Sequence, residues 1–143
     1  MQEGFKLTNS EAGINQQITW VYTRDLDLTA KFYSQILGLR CVRESDQVRI
    51  FATAPRAAIG LCRAFGDRVV EPKGGMISIV SDDVDRCYRL LRERGASIAA
   101  APRRLPQFGI YSFFVSDPND YVIEFQQFDD CAAVQDVADV TAG

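Results

Sequence analysis

The sequence predicts an α+β fold made of two tandem βαβββ modules, their strands forming a curved mixed sheet around a cleft. Three observations predict it. A strand–helix–three-strand pattern runs once from about residue 16 and restarts at Met76. Thr23-Arg24-Asp25-Leu26-Asp27 matches Ser81-Asp82-Asp83-Val84-Asp85 at an offset of 58 residues, and each match opens a helix that ends in glycine. Finally, 143 residues divided in two leave each repeat too small to bury a sheet alone, so the sheets should pair and curl about a shared cleft.

The elements follow in order. Residues 1–15 have no period and read as a loose arm ahead of a single domain at 16–127. In the first module, 16–65, residues 18–23 alternate as a strand. Asp25 then caps a helix with Leu26, Ala30, Tyr33 and Leu37 on one face, and Gly38 stops it. Strands are expected at 39–43, 47–53 and 57–63, with Ser45-Asp46 and Ala54-Pro55-Arg56 as turns. Residues 66–75, rich in Gly, Pro and charge, read as a linker. In the second module, 76–127, a strand at 76–81 precedes a helix capped by Asp83. Val84, Tyr88 and Leu91 line that helix, and Gly95 closes it. Strands at 97–100, 109–115 and 121–126 complete the module, and 128–143 read as a tail.

The last strand is introduced by a turn, Asp117-Pro118-Asn119-Asp120. Pro118 fixes φ there, and Asn119 and Asp120 tolerate unusual backbone angles. Alternation then puts Tyr121, Ile123 and Phe125 on one face, with Val122, Glu124 and Gln126 on the other. If the first set is core, Glu124 points from the opposite face.

Composition narrows the function. Hydrophobic residues make up 47% and charged ones 24%, as in an ordinary globular protein. No apolar run reaches the roughly 20 residues of a membrane span, and residues 1–6 lack the pattern of a signal peptide, so a cytoplasmic location is expected. A net charge of −3 and an isoelectric point near 4.9 argue against nucleic acid as a partner. Cys41, Cys62, Cys87 and Cys131 form no close pair and read as reduced, small hydrophobes. There is no histidine, which excludes Ser-His-Asp and Cys-His catalysis.

The chain resembles the vicinal oxygen chelate superfamily, the glyoxalase, bleomycin-resistance and extradiol-dioxygenase group. Three stretches carry the resemblance: Asp25-Leu26-Asp27-Leu28-Thr29-Ala30-Lys31-Phe32-Tyr33 with Leu37-Gly38-Leu39, then Ser81-Asp82-Asp83-Val84-Asp85, then the run from Asp117 to Glu124. It spans about residues 17 to 127. The resemblance implies a metal site with one ligand on each of four inner strands, usually two His and one or two Glu. Here those positions hold Ile18, Gly60, Met76 and Glu124. Only Glu124 carries a hard donor, so no metal and no other cofactor is expected. A register slip that turned Gln16 or Gln17 inward would add only a poor transition-metal ligand. The resemblance also implies a homodimer, in some members with the cleft built across the subunit interface.

What lines the cleft instead follows from alternation. With Ile18 at a ligand position, Trp20 and Tyr22 share its face, as do Ala58, Gly60 and Cys62, then Met76, Ser78 and Val80, then Val122, Glu124 and Gln126. This is the composition of a site for a small organic ligand. Trp20 and Tyr22 either stack on a planar or cationic ligand or fill core. Gly60 either enlarges the cavity or marks a bulge. Phe108 and Tyr111 are further wall or rim candidates of unresolved facing. Desolvation should raise the pKa of Glu124. It then acts as a catalytic acid–base group, anchors an amine, or rests in a hydrogen bond to Tyr22, Ser78 or a backbone amide. Arg103-Arg104 read as a strand end or as an anion contact at the rim. The expected function is metal-free binding of an aromatic or cationic compound. The alternative is a lyase, isomerase or dioxygenase using Glu124 or an unconventional metal.

Overall fold

A computed structural model describes residues 12–130. The predicted arm up to residue 11 and the predicted tail beyond residue 130, Cys131 included, lie outside the described residues. The first module runs β1 (Gln17–Thr23), α1 (Leu26–Lys31), β2 (Arg40–Glu44), β3 (Val48–Ala54) and β4 (Ala57–Arg63). The second runs β5 (Met76–Val80), α2 (Val84–Glu93), β6 (Ser97–Ile98), β7 (Arg103–Leu105), β8 (Ile110–Ser116) and β9 (Val122–Phe128).

Each module forms its own mixed sheet. The orders are β1-β4-β3-β2 and β5-β9-β8-β6, with β7 also pairing β8. The first strand of each module is parallel to its last, β1 to β4 and β5 to β9, and every other pairing is antiparallel. Strands β1 and β5 therefore each end a sheet, and among the described residues their outer edges lack a ladder partner.

Both helices start as the repeat requires. The Asp25 carboxylate accepts from the Leu28 N–H at 3.0 Å, and Asp83 accepts from the Arg86 N–H at 3.0 Å. They end differently. Beyond Lys31 the first helix widens into a π-turn over Phe32–Ile36, where the Leu37 N–H reaches back to the Phe32 carbonyl. Gly38 at φ +72° and Gly95 at φ +79° supply the left-handed exits. Arg103-Arg104 are strand residues paired with Ser112 and Tyr111, because the second strand of the second module is broken into β6 and β7, which both pair with β8.

Side chains facing the helices form one core across both modules. It includes Val21, Leu61 and Phe51 from the first sheet, Phe113, Ile123 and Phe125 from the second, and Leu26, Tyr33, Val84 and Leu91 from the helices. Phe113 and Phe125 stack at 5.3 Å between ring centres.

The Asp117 turn joins the modules. Asp117 accepts from the backbone N–H of Asn119 at 2.8 Å and of Tyr121 at 2.9 Å. Asp120 takes φ +67° to close the turn. From the first module, the buried Tyr33 hydroxyl donates to Asp117 at 2.9 Å. Asn119 donates to Thr29 at 3.0 Å and accepts from Thr23 at 3.1 Å. Burial raises the Asp117 carboxyl above its ordinary value, against the pull of these hydrogen bonds. Burial and the adjacent carboxylate raise the Tyr33 phenol further still.

Candidate functional site

Register decides which side chains share the open face, the one turned away from the helices. Ile18 pairs with Ala58, Trp20 with Gly60 and Tyr22 with Cys62. Met76 pairs with Val122, Ser78 with Glu124 and Val80 with Gln126. Gln17 sits opposite Ala57, so the slip that would turn it inward does not occur.

The Trp20–Gly60 pair explains the glycine. A Cβ on Gly60 would stand 2.5–2.8 Å from Cε3, Cζ3 and Cδ2 of the Trp20 indole, closer than a real Cβ approaches. The ring therefore lies directly on the strand backbone, in the space a side chain would take. Gly60 neither enlarges a cavity nor marks a bulge; it is the seat of the indole. Trp20 remains 41% exposed, so the rest of the ring is free to meet a ligand.

Where the free edges of β1 and β5 come near one another, a hollow of about 370 Å³ opens. Trp20, Tyr22 and Met76 line it, with Val69, Glu71 and Tyr121. Residues predicted to be linker thus form one wall. A 3₁₀ turn at Pro72–Gly74 carries that segment into β5, and the Tyr121 hydroxyl accepts from the Glu71 N–H at 3.2 Å. On the other wall the Tyr22 hydroxyl accepts from Arg68 Nη1 at 3.0 Å. Sequence reasoning missed Arg68, Val69, Glu71 and Tyr121. The first three sit in a stretch with no period, and Tyr121 shares the alternation of the core.

The remaining candidates lie outside this hollow. Glu124 is buried at 4% exposure on the open face and accepts from the Ser78 hydroxyl at 2.7 Å. Its second-sheet neighbours are Ser78 and Phe114, not Trp20. Cys62 directs its thiol to the Arg63 carbonyl. Phe108 stands 68% exposed in the turn before β8. Tyr111 faces the helices, because it shares the alternation of Phe113, and its hydroxyl donates to Asp85 of α2 at 2.6 Å. That bond, more than burial, raises the Tyr111 pKa. Neither Phe108 nor Tyr111 is a wall residue of the hollow.

A larger hollow of about 530 Å³ lies near the β3–β4 turn, lined by Gln16, Arg40, Val42, Ala52 and the turn residues. It offers no aromatic ring and brings together none of the predicted site residues.

The donor set does not fit the divalent ion that the resemblance implies. Ile18 and Gly60 offer no side-chain donor, Met76 offers a thioether, and the Glu124 carboxylate is engaged by Ser78. Among the described residues, no three His, Cys, Asp or Glu side chains gather as a ligand set.

Comparison with known proteins agrees with this architecture. A protein described as a glyoxalase/bleomycin resistance protein/dioxygenase from Nocardioides superposes with a TM-score of 0.67 at 17% identity, covering 85% of this chain and 91% of that one. Lactoylglutathione lyase from Agrobacterium tumefaciens gives 0.65 at 23% identity, covering 78% and 91%. A glyoxalase/bleomycin resistance protein/dioxygenase from Alicyclobacillus acidocaldarius gives 0.66 at 21%, covering 82% and 93%. At these identities the likeness is one of fold. No curated protein sequence matches significantly. The family model of the Glyoxalase/Bleomycin resistance protein/Dioxygenase superfamily matches residues 14–125, and the chain belongs to that superfamily.

Proposed function

We propose that this protein is a metal-free binder of a small aromatic compound, held between β1 and β5 with its ring on Trp20. One observation carries the reading: the indole is seated flat on Gly60, half exposed, beside a hollow of about 370 Å³. A ring fixed from behind loses little freedom when a planar ligand stacks on it, and such stacking adds about 1 kcal/mol beyond area burial. The cationic ligand expected from the sequence rested on the Trp20 and Tyr22 rings and on Glu124 as its charged anchor. That carboxylate is buried against Ser78 outside the hollow, so the aromatic half of the expectation is the better supported.

The proposal places the protein in the cytoplasm, with a second copy as partner. Trp20, Met76 and Val80 leave 41%, 52% and 46% of their surface uncovered on the open face, and covering them is what symmetric pairing would do. Light scattering of the purified protein reads the oligomer; a monomer at high micromolar concentration would remove the dimer. Among the described residues, no helix is long and apolar enough to cross a membrane.

Trp20 is the sole tryptophan, so its emission reports the site directly. Titration with planar aromatic compounds should quench or shift it, and Trp20→Ala should abolish the heat of binding in calorimetry. Absence of any response across a broad aromatic panel would end the reading. An enzyme of the same fold is the second reading, favoured by one observation, the buried carboxylate of Glu124 with Ser78 as its single side-chain partner among the described residues. Metal analysis separates the two where the enzyme is metal-dependent: a stoichiometric transition metal retained through purification would overturn the donor-set argument.

A further inference from the structure

Two phenol groups line the hollow with their oxygens already used as acceptors. Tyr22 accepts from Arg68 Nη1 at 3.0 Å, and Tyr121 accepts from the Glu71 N–H at 3.2 Å. Among the described residues neither hydroxyl donates to a protein acceptor. A phenol has one proton and two lone pairs, so an N–H on the oxygen leaves the proton to be directed elsewhere. Two tyrosines that line the hollow therefore carry O–H groups with no protein acceptor among the described residues.

Arg68 adds charge at the same place. One of its five N–H groups serves Tyr22, and among the described residues it takes part in no ion pair. Its backbone is fixed by a two-residue hairpin: Phe65 and Arg68 exchange N–H to carbonyl bonds of 3.0 and 2.7 Å across Gly66-Asp67. Gly66 at φ +53° takes the first turn position, where a side chain would be strained. The guanidinium is thus delivered to the Tyr22 hydroxyl by a tight turn of the segment between the modules. Trp20 and Tyr22 are two residues apart on one strand face, about 7 Å. Both side chains line the hollow, so one ligand can meet the indole and the Tyr22 hydroxyl that Arg68 holds.

We propose that this site selects planar aromatic carboxylates over aromatic amines. Here the ring stacks on Trp20, and the carboxylate accepts from the Tyr22 hydroxyl and from the free N–H groups of Arg68. The inference rests on the aromatic-ligand reading and names the ligand class for it. Glu71 also lines the hollow and opposes an anion. Among the described residues, however, no hydrogen bond or ion pair holds its exposed carboxylate in place, and it is free to turn to water.

Calorimetric titration of the full chain with naphthoate, naphthamide and naphthylmethylammonium tests this. Naphthoate should bind more tightly than the amine by roughly tenfold or more, the scale of a charge-assisted hydrogen bond. Arg68→Gln combined with Tyr22→Phe should reduce that ratio to near one and weaken naphthamide, whose carbonyl accepts from the same donors, by less than it weakens naphthoate. Arg68 is exposed and Phe keeps the Tyr22 ring, so the variant should fold, which circular dichroism checks. Equal or tighter binding of the amine overturns the proposal and leaves the aromatic reading standing. So does an acid preference that survives the double substitution. Failure of all three probes to bind overturns both.

Discussion

At the middle of each module's first strand, the parallel partner strand offers one residue across the open face. In the first module that slot holds Trp20 over Gly60, and in the second it holds Ser78 over Glu124. The backbone is the same in kind: a strand entering a helix through a capping Asp, paired in parallel with the module's last strand. The contents are opposite. One slot puts all its bulk on the first strand and none on the last, so an indole lies on bare backbone with much of its surface exposed. The other puts a small hydroxyl on the first strand and a carboxylate on the last, and the carboxylate is buried. The repeat has kept its frame while its two halves have separated into a surface that can receive a ring and a polar pair closed on itself.

Filling the first slot from below should have the largest effect. Gly60→Val places branched carbons where the indole ring lies, and overpacking of this kind costs about 2–3 kcal/mol. Urea unfolding should show that loss, Trp20 emission should move toward that of a solvated indole, and aromatic binding should vanish. A variant as stable as the parent with unchanged emission would mean that the indole does not occupy the slot, and the contrast between modules would lose its first member.

The next expectation concerns what holds the two halves together. Tyr33→Phe removes the one side-chain donor that, among the described residues, the first module gives to the buried Asp117. A hydrogen bond to a carboxylate is worth about 2 kcal/mol, so denaturant unfolding should lose that amount in a single transition. Two separated transitions would instead show that the modules fold as independent units, and that the shared core does not make them one.

The second slot should respond more weakly, and with the opposite sign. Glu124→Gln keeps an acceptor for Ser78 and removes a buried ionisable group that has no cation partner among the described residues. Without catalysis or a metal to justify it, the substitution should stabilise by about 1 kcal/mol. Loss of a measured activity without loss of stability would favour the enzyme reading instead.

Much of this frame is legible in the residues. The 58-residue offset places both helix caps, and alternation assigns Val21 and Ile123 to the core, Trp20 and Glu124 to the other face. Alternation cannot say what covers a face. It groups Trp20 with Glu124, although the fold keeps them in separate sheets. Gly60 is ambiguous in sequence because the atoms that need its missing side chain sit 40 residues away. Arg68 and Glu71 look like linker because their partners, Tyr22 and Tyr121, are supplied by tertiary contact. The π-turn at Phe32–Ile36 leaves the apolar spacing of the helix intact, so spacing does not reveal it.

The smallest expected effect is a slope. Asp117 joins the halves, and its carboxyl lies above its ordinary value because burial outweighs three hydrogen bonds. The native state thus holds that proton more tightly than the unfolded chain does. The resulting stability is complete below about pH 4, the unfolded value, and is lost as pH rises through the native one. The Tyr33 phenol stays neutral across this range and contributes no slope of its own, while Asp120 lies close enough to add to the rise. Asp117→Asn keeps an oxygen for the two turn N–H groups and can donate its amide to Tyr33, but has no proton to lose. The stability of this variant minus that of the parent, from urea midpoints, should therefore increase from about pH 4 to about pH 7. A difference that falls over that interval would mean the hydrogen bonds outweigh burial, and that the joint is held by a carboxylate which prefers its charge.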